Sequence, residues 1–244
     1  MGLAMDKKQF LEHIEKCINR ETSDRYPGYE GIDRSLGDQQ MIVSDIKVRL
    51  ERDQSQIVDK FATTAAIAGW NVIRVETIEQ ALHKTIDLLL SINAKEVLCS
   101  EEEIVARVLK DPQIGTSLND AKIIFSDDEN RDGLKLTSFK ADIGITGVDY
   151  AIAETGSCVV LPGVKLSRLT SLAPPHHLAL VQIDKILETL DDLFAIRKLT
   201  FLEQEGDMGS YMNFITGPSR TGDIEQTIVK GVHGPKEVSL LLIG

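Results

Sequence analysis

Between residues 51 and 125 the chain alternates helix-spaced segments with short β-prone runs, and this rhythm limits its architecture more than any other feature. Residues 51 to 68 set Ile57, Val58, Phe61 and Ala65 at helical intervals. NVIRV at 71 to 75 is short and β-branched, and Thr77 behind it is a plausible N-cap. Residues 78 to 92 read as helix, EVLC at 96 to 99 as strand, EEEIVARVLK as helix and KIIF at 122 to 125 as strand. Such alternation predicts βα units, hence an α/β fold whose mainly parallel sheet carries helices on both faces.

The second half has a different texture. ADIGITGVDYAIAETGSCVVLPG, from Ala141 to Gly163, sets short β-prone pieces between Gly144, Gly147, Gly156 and Gly163, which predicts close-set strands. A long helix is expected from about Asp184 to Gln204, then a strand in YMNFIT and a last strand in EVSLLLI. Upstream, Phe10, Leu11, Ile14, Cys17 and Ile18 recur at three- and four-residue intervals, the pattern of an amphipathic helix. The turn-rich RYPGYEGIDRSLGD follows, so residues 24 to 40 read as a loop or arm. The expected division is an N-terminal helix and arm over residues 1–50 and a single α/β domain over 51–244.

The composition narrows the partners. With 27 basic and 38 acidic residues the net charge is −11, and no lysine or arginine block offers the basic face that nucleic acid requires. Cys17, Cys99 and Cys158 are odd in number and widely spaced, which suits neither a disulfide framework nor a zinc or iron–sulfur site, and fits a reducing cytoplasm. No apolar stretch has the length of a signal peptide core or a membrane span, so no membrane association is expected.

The segment NFITGPSRTGDIEQTIVKGVHG, from Asn213 to Gly234, carries the strongest chemical signal. An apolar run enters Gly217 and Pro218, the donors Ser219, Arg220 and Thr221 follow, and Gly222 and Asp223 precede IEQTIV. This reads as strand, tight turn and helix N-terminus, a junction able to hold a carboxylate or phosphate without a metal. Capping of the helix by Thr221 or Asp223 is the competing structural reading. Gly217 and Gly222 have the spacing of a nucleotide phosphate loop, but Asp223 and Ile224 replace its lysine and hydroxyl residue, which excludes that function. The serine-hydrolase elbow fails because Thr221 replaces its second glycine, and no G-x-G-x-x-G fingerprint exists.

Further candidates lie outside that segment. Glu154, Thr155 and Gly156 stand at a strand end before a glycine turn, where Glu154 reads either as a general base or nucleophile or as a cap. His176 and His177 lie in an extended run, so one of the two is expected to face any given pocket. His233, within GVHGPKE, is placed with Lys236 near the GPSRTGD turn by chain proximity. No metal-binding spacing links the histidines, and SDDENRDG does not match a calcium loop, so neither metal nor cofactor is assigned.

ADIGITGVDYAIAETGSCVV, SRLTSLAPPHHLALV and FITGPSRTGDIEQTIVKGVHGPKE, in that order over about residues 141 to 237, resemble the LUD domain family, and most closely its lactate utilization protein C branch. The resemblance implies a fold similar to the phosphosugar isomerase, CoA-transferase and cyclo-ligase group, the NagB/RpiA/CoA-transferase-like fold. It also implies a cytoplasmic part in oxidising L-lactate to pyruvate alongside iron–sulfur partner proteins, with this chain the subunit lacking clusters. A free-standing CoA-transferase-like or cyclo-ligase-like enzyme acting on an acyl or phosphate-bearing metabolite through Glu154 is the alternative. In the first reading Ser219, Arg220 and Thr221 grip the anion of lactate or pyruvate.

Overall fold

The computed structural model describes His13 and residues 35–118, 120–126, 131–163, 167–204, 211–222 and 228–244. Apart from His13, the expected helix at Lys8–Arg20 lies outside the described residues, as do Asp223 and the acids Asp127, Asp128 and Glu129. A six-stranded parallel sheet forms the centre. Its strands are β1 (Asn71–Val75), β2 (Glu96–Cys99), β3 (Lys122–Phe125), β4 (Ile143–Gly147), β7 (His176–Gln182) and β12 (Glu237–Ile243), in the order β1-β12-β7-β4-β2-β3. Each neighbouring pair is parallel, so all six amino ends share one edge.

Alternation along the strands sorts side chains into two layers. Ile143, Ile145, Leu178, Leu180, Leu241 and Ile243 join one buried cluster with Leu82, Leu89, Val105 and Ile114. These last four come from the helices α3 (Ile78–Ser91), α4 (Glu103–Leu109) and α5 (Pro112–Ser117). The intervening Ala179, Val181, Val238, Leu240 and Leu242 pack on Ile57, Phe61 and Ala65 of α2 (Gln54–Ala68) across the opposite face. On that face Leu98 and Ile124 also meet α6 (Arg131–Lys140) through Leu134. The segment α7 (Arg168–Leu172) comes so near β4 that any Cβ at Gly144 would overlap the Thr170 carbonyl. The α/β architecture with helices on both faces is therefore as the sequence predicts.

A second sheet lies on the α2 side. It consists of β5 (Tyr150–Ile152), β6 (Ser157–Val160), β8 (Ile186–Leu187) and β9 (Asn213–Ile215), in the order β8-β5-β6-β9. These are the close-set strands expected after Ala141. Thr77 caps α3 as foreseen, its hydroxyl accepting the Gln80 N–H at 3.2 Å, which is worth about 1 kcal/mol.

Three local expectations are corrected. Residues 36–40, read as part of a loop or arm, instead begin a helix α1 (Leu36–Arg52) capped by Ser35; its apolar stripe is narrow, with Val43 and Ile46 buried beside Gln39. The helix expected from Asp184 starts only at Leu190, as α8 (Leu190–Glu203), because Ile186 and Leu187 pair with β5 and a Thr189–Asp192 capping box fixes the start. The helix expected in IEQTIV is replaced, where described, by a strand. Here β10 (Arg220–Gly222) pairs antiparallel with β11 (Ile228–Lys230), and β-branched Ile228 and Val229 favour that outcome.

Candidate functional site

At the amino edge of β1, β12 and β7 the end of α2, the β10–β11 hairpin and the last turn of α3 enclose a cleft of about 390 Å³. Gly69, Asn71, Pro218, His176, His177, Lys230 and Lys236 are among its walls. The cleft owes its existence to tight backbone packing. Gly69 closes α2 in the left-handed region at φ 104°, and Gly217, at φ 82°, lies so close to α2 that a Cβ there would overlap the Ala68 carbonyl. The Arg220 guanidinium spans the same wall, donating to Ala68 O at 3.4 Å and covering Gly69.

His177 forms the most constrained part of this cleft. It is 1% exposed, its Nε2 sits 2.9 Å from Thr146 Oγ1, and its ring lies 6.0 Å from that of Trp70. Its Nδ1 is enclosed with no hydrogen-bond partner. Burial disfavours the imidazolium and lowers the His177 pKa to about 4, so the ring is neutral at pH 7. Trp70 is fixed in turn by donating Nε1–H to Gly156 O at 3.1 Å. His176 points the other way and lies 3.7 Å from Glu237. Both histidines line the cleft, contrary to the expectation of one, because the cleft wraps round the sheet edge and meets both faces.

The remaining candidates divide into two sets. Ser219 binds the loop of His233: its N–H donates to Pro235 O at 2.9 Å, its carbonyl accepts Gly231 N–H at 3.0 Å and its Oγ accepts His233 N–H at 3.3 Å. The GVHGPKE loop therefore does meet the GPSR turn, through a hairpin in place of a helix. The described end of IEQTIV is strand and not helix, and the cationic side chains near this turn are Arg220, Lys230 and Lys236. Thr221 lies in β10 opposite Val229, and Gly222 opposite Ile228.

Glu154 is not among the walls of the cleft. It is exposed, and its Oε1 accepts Leu190 N–H at 2.9 Å at the start of α8, near Glu188, which pairs with Arg49 and Lys60. Thr155 donates to Ser157 Oγ at 2.8 Å, and Ser157 meets Thr216 at 2.6 Å. Gly156 is required by packing: at φ 65°, a Cβ would stand 2.5 Å from Ala65 N.

Sequence reading missed Gly69, Trp70 and Thr146, which shape the cleft; Gly-Trp directly after a helical pattern was the available signal. It also missed the opposite edge of the sheet, where Glu102 and Asp149 lie half buried and burial raises both carboxyl pKa values. Burial likewise pushes the Cys99 and Cys158 thiols up, away from reactivity. Among the described residues no group of three or more His, Cys, Asp or Glu is placed to hold a metal ion, and no helix is long and apolar enough to cross a membrane.

Comparison with known proteins agrees with this architecture. Lactate utilization protein C of Shouchella clausii is 26% identical over 98% of this chain and 97% of its own length, and that of Exiguobacterium sp. is 25% identical over 99% and 97%. The protein of the same name from Halalkalibacterium halodurans is 36% identical over 43% of this chain and 45% of its own length. A DUF162 family protein from Deinococcus radiodurans, solved by crystallography, superimposes with a TM-score of 0.53, covering 78% of this chain and 98% of that one at 23% identity, which shows a shared fold. The LUD domain profile matches residues 3–243, and the chain belongs to the LUD domain family.

Proposed function

We propose that this protein serves lactate utilization by binding a small carboxylate, lactate or pyruvate, in the amino-edge cleft. The observation that carries the reading is the unpartnered Nδ1 of buried, neutral His177, a wall residue of a cleft that Lys230 and Lys236 line together with Glu237, with Arg220 against Ala68 and Gly69 beside it. Cations at the rim attract the carboxylate, and the neutral ring offers one directional hydrogen bond to the 2-hydroxyl or 2-oxo oxygen. The shared name of the relatives supports lactate or its product as the ligand. In this reading the chain works in the cytoplasm beside iron–sulfur proteins, which carry the electrons. Glu154 as a nucleophile has less support, since its carboxylate is engaged at the start of α8.

Two measurements test the proposal. Calorimetry with L-lactate should show binding that weakens about tenfold in Arg220→Ala, the loss of one charge-assisted contact, with the melting temperature unchanged. Equal affinity in the variant removes Arg220 from the site. Co-purification with neighbouring gene products, followed by lactate oxidation with and without this chain, tests the role; equal rates would exclude it.

A further inference from the structure

Register brings Thr146 of β4 to His177 of β7. Gly144 pairs with His177 and Thr146 with Ala179, while Val238 of β12 flanks His177 on its other side. Ala179 and Val238 belong to the layer packed on α2, so Thr146 and His177 face that same layer, beside Trp70. Thr146 is fully buried, and its Oγ1 lies 2.9 Å from His177 Nε2, the one partner of that hydroxyl among the described residues.

Counting partners gives the direction of this hydrogen bond. A neutral imidazole has one N–H and one bare nitrogen, and a hydroxyl has one hydrogen to donate. Were Nε2–H the donor, the Thr146 hydrogen would be buried without an acceptor and the bare Nδ1 without a donor, leaving two groups unpaired. With Thr146 donating to a bare Nε2, the ring proton sits on Nδ1, and that N–H alone lacks a partner. Each buried unpaired group is costly, so the second arrangement prevails. The ring is neutral at pH 7, and these two tautomers are the whole choice.

The group left over is therefore a donor. Gly144 and Val238, the sheet neighbours of His177, carry no polar side chain, and Trp70 N–H is engaged by Gly156 O. An oxygen that reaches Nδ1 from the cleft His177 lines finds a donor there and no side-chain acceptor among these neighbours. A 2-oxo oxygen, with lone pairs and no hydrogen, is satisfied by that donor; a 2-hydroxyl accepts from it but leaves its own hydrogen unpaired. We propose that Thr146 determines the specificity of the cleft: by donating to Nε2 it fixes His177 as an Nδ1–H donor, and the cleft therefore prefers the 2-oxo acid, pyruvate, to the 2-hydroxy acid, lactate. Thr146 acts through His177 and is a positioning residue. The inference rests on the carboxylate-binding function proposed for this cleft.

The test uses the full chain with pyruvate and L-lactate as probes. Calorimetry reads the two affinities, and nitrogen NMR of the imidazole at pH 7 reads which ring nitrogen carries the proton, the His177 signal being assigned by its loss in His177→Gln. The proton should be found on Nδ1, and pyruvate should bind about tenfold more tightly than lactate, the ratio expected for one hydrogen left unpaired. Thr146→Val removes the hydroxyl at nearly constant shape; it should release the tautomer and bring the ratio to about one, and Thr146→Ser should keep both as in the parent chain. If Thr146→Val fails to fold, the tautomer and ratio of the parent chain decide. A proton on Nε2, equal affinities in the parent chain, or a ratio unchanged in Thr146→Val overturns the specificity alone, whereas binding of neither acid overturns the carboxylate-binding function and the specificity together.

Discussion

The two edges of the central sheet are chemical opposites. At the amino edge strands begin and backbone N–H groups face outward; at the carboxyl edge strands end in carbonyls. The protein uses this polarity internally. Asp142 Oδ2 accepts Lys95 N–H at 2.7 Å and Glu96 N–H at 2.9 Å at the amino edge of β2, so that edge already holds a carboxylate. At the carboxyl edge Ser126 N–H and Gly244 N–H donate to the strand-end carbonyls of Cys99 and Val75. Lys230 and Lys236 stand in the cleft at the amino edge, and Glu102 and Ser126 follow strands at the carboxyl edge. One sheet thus presents backbone donors at one edge and backbone acceptors at the other.

The strongest way to break the contrast is to displace the hairpin that builds the cationic edge. In Gly217→Ala a methyl is forced onto the Ala68 carbonyl at a backbone angle that L residues rarely adopt. A loss of about 3 kcal/mol in denaturant unfolding is expected, together with lactate binding. Unaltered stability would show that Gly217 does not anchor the hairpin to α2.

The next effect is pH-dependent and belongs to the same edge. The folded His177 pKa, about 4, lies below the ordinary histidine value of 6.5, so the unfolded chain takes up a proton that the folded chain refuses. Stability from this group is complete above pH 6.5 and falls as pH drops toward 4, by on the order of 3 kcal/mol. Urea unfolding across that window should show the slope, and His177→Gln should flatten it. An equal slope in the variant would place the responsible group elsewhere.

The smallest effect sharpens the contrast from the other edge. Glu102 has a raised folded pKa, so the stability linked to its proton is present at acid pH and lost as pH rises through the folded value. Glu102→Gln keeps the shape and removes the charge, and should raise the melting temperature slightly at pH 7 while leaving lactate affinity untouched. A lower melting temperature would mean that the ionised carboxyl is the favoured form.

The contrast between the edges was only half legible beforehand. His176, His177, Arg220 and the meeting of the GVHG loop with the GPSR turn were found because glycines and side-chain donors cluster in the sequence. The helix expected in IEQTIV was misread at its described end, since the segment satisfies a helical spacing yet that end pairs across the sequence with Arg220–Gly222. Helix α1 escaped notice because much of its contact with the domain is polar: Gln39 Nε2 donates to Ala195 O at 2.9 Å, and Arg49 pairs with Glu188 and Asp192. Hydrophobic periodicity does not register such contacts.

The sequence by itself determined the parallel α/β core, because four- and five-residue β-prone runs separated by amphipathic helices have few other ways to bury their apolar faces. The tertiary structure alone decided that EVSLLLI, last in the chain, lies between β1 and β7, and that the strand order reverses between β2 and β4. Strand order and edge identity are relations between segments far apart in sequence. They depend on which faces fit together, and no local spacing records that.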